Sequence, residues 1–203
     1  MKEVSMKRYI TADLHFNHEV ACGPNAFVTT RRKISNIDEM RESLIHAHNS
    51  KVKMKDTTYI LGDAAVNVEE EVLFSLLSQL NGQIILIKGN NDSKEGLKYL
   101  EENNFIMEDG REKFITHEVG CTIEHNDLLY YLLHYPLDIG QGAAVKNYRS
   151  FCGHIHEQEA PFPNCLNIGV DSPELPKEHA FGEPIEFERA CELLENKVAK
   201  IRS

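Results

Sequence analysis

The chain has 203 residues, of which 41% are hydrophobic and 27% charged, an ordinary composition for a folded globular protein. Its formal net charge of −10 argues against a protein that grips nucleic acid through a broad basic face. Five cysteines without a CxxC pair argue against a disulfide framework. Residues 1–9 lack an apolar signal-like core, and no apolar run reaches the roughly 18–20 residues of a membrane span. The expectation is a cytoplasmic protein of one domain, residues 1–203, away from the membrane, with homo-oligomerisation left open.

In chain order, residues 8–12 (RYITA) form a short apolar strand that stops at a polar turn. Residues 38–52 show helical spacing, with Ser35 and Asp38 placed as a capping box. The basic run Arg31-Arg32-Lys33 before that helix reads as a solvated face. Residues 57–61 (TTYIL) give a second strand, 69–80 a second amphipathic helix, 83–87 (QIILI) a third strand and 93–102 a third helix. Strand and helix alternate, which predicts a parallel sheet with helices packed on it. Beyond residue 112 the pattern changes. Residues 113–118, 121–124 and 128–133 read as consecutive strands, with a hairpin turn at His125-Asn126-Asp127. Residues 149–152 and 165–170 add two more strands, and 186–198 a C-terminal helix.

Polar clusters recur at one place in this scheme, directly after apolar strands. They are Asp13-Leu14-His15, Gly62-Asp63, Gly89-Asn90-Asn91-Asp92 and Gly153-His154-Ile155-His156, with His134 closing the strand at 128–133. Loops at strand carboxyl ends converge on one crevice in open α/β sheets. In extended backbone, residues i and i+2 share a side. Asp13 and His15 can then chelate one ion, and His154 and His156 can do the same or straddle two. The donors are carboxylate, amide and imidazole without thiolate, which suits Mn, Fe or Zn better than Ca and argues against a structural zinc site. Seven donors exceed one tetrahedral ion and suffice for two.

The ordered set DxH, GD, GNxD, H and GHxH resembles that of the calcineurin-like metallophosphoesterases. The opening Ala12-Asp13-Leu14-His15-Phe16-Asn17-His18 is similar to that of a bacterial and phage branch of the superfamily. The resemblance implies an α/β fold, a central β-sandwich of mixed sheets flanked by helices. It implies that Asp13, His15 and His156 hold a first metal, that Asp63 bridges, and that Asn90, His134 and His154 hold a second. The ions would be two divalent cations, Mn foremost, with Fe, Zn, Ni or Mg as alternatives. The implied activity is direct phosphoester hydrolysis without a covalent enzyme intermediate.

The chain departs from the family at Asn91, where a histidine is usual. An amide donates a hydrogen bond but cannot give up a proton. Leaving groups that need protonation should suffer, so the expected preference is for phosphodiesters or activated leaving groups, with a nucleotide-like small molecule as substrate by analogy. Asn91 is expected to touch substrate, and His18 to take part of the missing histidine's role. Asp92 either orients a neighbour or caps the third helix, and Asn167 and Asp171 are candidates to line the cleft. The alternatives are a phosphomonoesterase or nucleoside polyphosphate hydrolase, a non-catalytic binding scaffold and a DNA-processing nuclease. Complete ligand positions argue against the scaffold, and the acidic charge against the nuclease.

Overall fold

The computed structural model describes residues 5–28, 30–140 and 146–202. Two mixed sheets face each other, with helices packed against the first, which is the expected sandwich. The first sheet has the order β4-β3-β2-β1-β9. Strands β1 (Arg8–Thr11), β2 (Thr57–Leu61), β3 (Gln83–Ile87) and β4 (Phe114–His117) run parallel, and β9 (Ile185–Glu186) lies antiparallel to β1. Helices α1 (Ile37–Lys51), α2 (Glu70–Ser78) and α3 (Lys94–Glu102) connect the parallel strands. The second sheet has the order β5-β6-β7-β8. Strands β5 (Gly120–His125) and β6 (Leu128–Leu133) are antiparallel, whereas β6, β7 (Tyr148–Cys152) and β8 (Cys165–Asn167) are parallel. Helix α4 (Phe187–Arg202) closes the chain.

Burial on both faces explains the unbroken apolar run of β3, in which all five residues are buried. Ile84 and Leu86 pack toward the helices with Leu44, Leu73, Leu77 and Leu97. Ile87 and Leu61 pack toward the second sheet with Tyr130, Leu132, Phe151 and Leu166. The phenyl ring of Phe187 joins this second cluster and anchors α4.

Three local expectations are corrected, and one short strand is added. The strand at 114–117 belongs to the first sheet and not to the run of strands after it. It pairs with β3 in the register Ile84↔Phe114, and Phe114 is buried on the helix side. The cap of α1 is Asn36, whose side chain accepts from the Glu39 N–H at 2.9 Å, while Glu39 accepts from the Ser35 N–H at 2.8 Å. Strand β8 ends at Asn167, and Gly169 beyond it pairs with Ala12, so β1 and the end of the second sheet meet. The two-residue β9 is too short to leave a periodic signal. The hairpin turn is as expected: Asn126 and Asp127 take φ values of 50° and 60°, the left-handed pair that a tight antiparallel turn requires. Among the described residues no helix is long and apolar enough to cross a membrane.

Candidate metal centre

The parallel strands deliver their polar residues to one end of the sandwich. β1 leads to Asp13 and His15, β2 to Asp63, β3 to Asn90 and Asn91, β6 to His134, and β7 to His154 and His156. Donor atoms of Asp13, His15 and His156 lie within 4.8 Å of one another, and so do those of Asp13, Asp63 and His134. The Asp63 carboxylate stands between two imidazoles. Its Oδ2 lies 3.5 Å from His15 Nε2 and its Oδ1 lies 3.5 Å from His134 Nε2. Asn90 Oδ1 is 3.0 Å from His134 Nε2, and the His154 ring centroid is 5.0 Å from that of His134. All seven expected donors therefore meet. His156 sides with Asp13 and His15, and His154 with His134, so the HxH pair straddles two halves of one site.

The backbone reaches this geometry by a route the sequence does not announce. Asp13, His15, Asp63, His154 and His156 have φ of 58°, 51°, 54°, 70° and 46°. They are five of nine non-glycine residues in that region among the described residues. Left-handed backbone costs an L-residue roughly 1–2 kcal/mol, and such strain gathers at functional sites. Donors two apart share a site here through alternate left-handed residues and not through extended chain. The glycines make close approach feasible. A Cβ on Gly89 would sit 2.2 Å from Asp63 Oδ1, and one on Gly62 2.4 Å from His134 Nδ1.

The donors fit cations. His15 Nε2 is buried without a hydrogen-bond partner, a condition rare for polar atoms in native interiors. Burial, and next the Arg32 charge, depress His15 to about 2, leaving a neutral ring. Burial raises Asp13 to about 7, against the opposing pull of His156 and the His154 N–H. A buried carboxylate short of positive charge beside an orphaned imidazole is what a divalent ion would satisfy.

A second set of residues fixes the donors. Both oxygens of Asp63 accept from Asn91, from its backbone N–H at 2.8 Å and its side-chain amide at 2.6 Å. Asp92 accepts from the N–H groups of Asp63, Ala64 and Gly89, so it ties the β2 and β3 loops together. The cap of α3 is Ser93 instead. His18 stacks on His15, with the two Nδ1 atoms 3.1 Å apart. Asn167 donates to the carbonyls of His156 and Gln158.

The basic run is not a solvated face. Lys33 is exposed, but Arg31 donates to the carbonyls of Leu175, Pro176 and His179. Arg32 is buried. Its guanidinium binds both oxygens of Asp171, at 3.2 and 2.8 Å, and donates to the carbonyls of Asp13 and Leu14. Asp171 also faces His156 Nδ1 at 3.3 Å. Burial works against its charge, but His156 and Arg32 outweigh burial and hold the carboxyl below its ordinary range. Arg32 thus connects the β1 loop to a donor imidazole of the β7 loop. The run 167–171 gives a signal for Asp171, whereas nothing in the sequence marks Arg32. His48 and His179 contact backbone carbonyls elsewhere, and all five cysteines are free thiols.

No family model matches the chain. An uncharacterized protein of Methanocaldococcus jannaschii is 35% identical over 105 residues, which cover 50% of this chain and 57% of that protein. The chain thus matches little more than half the length of that relative. A protein of unknown function from Aquifex aeolicus aligns over 93% of this chain and 100% of its own, with a TM-score of 0.65 and 20% identity. An archaeal phosphodiesterase aligns over 82% of this chain and 84% of its own, with a TM-score of 0.44 and 22% identity. The Aquifex protein shares the fold, and what the chain does is to be read from its own site.

Proposed function

We propose that the chain is a binuclear metal-dependent phosphoester hydrolase that prefers phosphodiesters of nucleotide type. The observation that carries this reading is the Asp63 carboxylate, poised between His15 and His134 beside the orphaned His15 Nε2. Asp13, His15 and His156 would hold one ion, Asn90, His134 and His154 the other, with Asp63 between them. Two divalent ions, Mn foremost, would supply Lewis-acid chemistry, acidifying water and neutralising phosphoryl oxygens. The chain's own residues set the geometry. Asn91 holds Asp63 in place, and Arg32 and Asp171 hold His156 and the β1 loop. At the position of Asn91 stands an amide without a proton to give, so help to a leaving alkoxide is absent there. General acid help is worth about 10²–10⁴-fold, so its absence favours diesters, or activated leaving groups, over alkyl monoesters.

The test is steady-state hydrolysis of bis(p-nitrophenyl) phosphate against p-nitrophenyl phosphate in Mn²⁺, with His134→Ala as control. Faster diester turnover, abolished in the control, is the expected result. Equal or faster monoester turnover overturns the diester preference. Turnover of neither substrate overturns the hydrolase reading.

A further inference from the structure

Two aromatic side chains stand at the rim of the metal centre with much of their surface in solvent. Phe27 is 46% exposed and Tyr135 52% exposed. Each touches donor rings, and each touches different ones. The Phe27 ring lies 5.0 Å from His156, 5.4 Å from His18 and 6.1 Å from His15. The Tyr135 ring lies 4.7 Å from His154 and 4.9 Å from His134. They therefore belong to the two halves of the site that Asp63 separates. Both are set on defined backbone. The Phe27 N–H donates to the Val20 carbonyl at 3.2 Å, closing the loop that begins at His18. Tyr135 follows the last donor of β6 and precedes Pro136.

A single exposed apolar residue needs no explanation. Two aromatic rings placed one on each half of a buried polar site do. A phosphodiester leaves its phosphorus through two ester oxygens, so its two organic groups diverge from a phosphate held at the centre. We infer that Phe27 and Tyr135 are stacking platforms for the two ester groups of the substrate, at least one of which is a nucleobase-bearing nucleoside. This rests on the phosphodiesterase reading above and narrows it to short nucleotide diesters. A long polymer would need a basic track, which a chain of net charge −10 does not favour.

The experiment compares thymidine 5′-(p-nitrophenyl phosphate) with methyl p-nitrophenyl phosphate. The leaving group is the same, and only the other ester group differs. Base–aromatic stacking corresponds to about 5- to 150-fold in affinity per base. The wild-type chain in Mn²⁺ should favour the thymidine ester in kcat/KM by about 5-fold or more. One of Phe27→Ala and Tyr135→Ala, at the ring that carries the thymine, should collapse that ratio while turnover of the methyl ester holds. The other, at the ring facing the shared p-nitrophenyl group, should lower both esters alike, and Phe27→Tyr should keep the ratio. Calorimetric titration of the Mn²⁺-loaded chain with thymidine 5′-monophosphate and with inorganic phosphate gives a second readout. The alanine variant that collapses the ratio should weaken the nucleotide and spare the phosphate. A double alanine variant with the wild-type ratio overturns the inference, as does an equal loss on both esters in each of the two single variants, which would mark the rings as packing. A wild-type chain inert to both esters overturns the hydrolase reading itself.

Discussion

The two ends of the first sheet both bury polar groups, and they do so in opposite ways. At the amino end of the strands, side chains other than Thr58, whose buried hydroxyl has no partner, are satisfied largely by backbone. Asp56 accepts from the N–H groups of Lys7 and Lys53, Asn81 donates to the Val52 carbonyl, and Gln83 donates to the Glu112 carbonyl. Even the buried Lys113 ammonium finds two carbonyls, those of Leu80 and Gly82. At the carboxyl end, carboxylates and imidazoles face one another, His15 Nε2 has no partner, and donor after donor sits in left-handed backbone. Satisfied burial is architecture. Unsatisfied burial on strained backbone is a cost the fold carries for a ligand.

The largest expected effect comes from removing charge at the carboxyl end. Asp63→Asn keeps the shape of the side chain but takes away the anion between His15 and His134. Metal catalysis supplies several kcal/mol, so diester turnover should fall by about 10³-fold or more. Stability should change little, because relief of the repulsion between Asp63 and the buried Asp13 is opposed by the loss of one of the two hydrogen bonds that the Asp63 oxygens accept from Asn91. Steady-state kinetics and thermal melting together check this. A variant that keeps turnover within tenfold would break the contrast between the two ends, because the carboxyl end would then be structural as well.

The second effect concerns the connection between the β1 loop and His156. Arg32→Met leaves Asp171 buried without its cation. Breaking such a pair costs about 3–5 kcal/mol, to be read by urea unfolding of the metal-free chain. Loss of the group that positions a donor typically weakens metal affinity about 10–100-fold, which calorimetry with Mn²⁺ reads separately. Arg32→Lys should rescue little, because the guanidinium engages both oxygens of Asp171 and an ammonium is a point charge. Loss of stability with unchanged metal affinity would confine Arg32 to the fold.

These residues also mark what the sequence lets a reader see. The donors are legible because each follows an apolar strand, and polar residues at strand ends have few structural reasons to recur in the pattern DxH, GD, GNxD and GHxH. The alternation of strands and helices up to residue 102 is legible from periodicity. Arg32 is not, because its partner Asp171 lies 139 positions away and a basic residue beside two others looks solvated. The sheet to which 114–117 belongs is hidden too. A strand's periodicity shows that it pairs, while its neighbour is chosen by the packing of Phe114 against the helices. The left-handed donors were unreadable for a different reason. Asp, Asn and His adopt positive φ more readily than most residues, but that preference is too weak to place the conformation, which is imposed by contacts between loops, such as the N–H of His154 on the Asp13 carboxylate.

The smallest effect tests the quiet end. Burial lowers Lys113 from its ordinary 10.5 to about 8. In the unfolded chain Lys113 holds its proton up to about 10.5, whereas the folded chain releases it near 8. Between these values the unfolded state binds more protons, so the contribution of Lys113 makes stability rise with pH across that window. Below about pH 8 both states are protonated and the contribution is flat. Lys113→Met removes the slope. At pH 7 it should cost no more than about 1–3 kcal/mol, the range for losing the donor to two buried carbonyls, because it also relieves the burial of an ammonium. Urea midpoints of wild type and variant at pH 7, 8, 9 and 10 decide it. The wild type should gain on the variant from pH 8 upward. A constant difference would mean that the Leu80 and Gly82 carbonyls hold the proton on Lys113, and that the amino end too stores a charge the fold must satisfy.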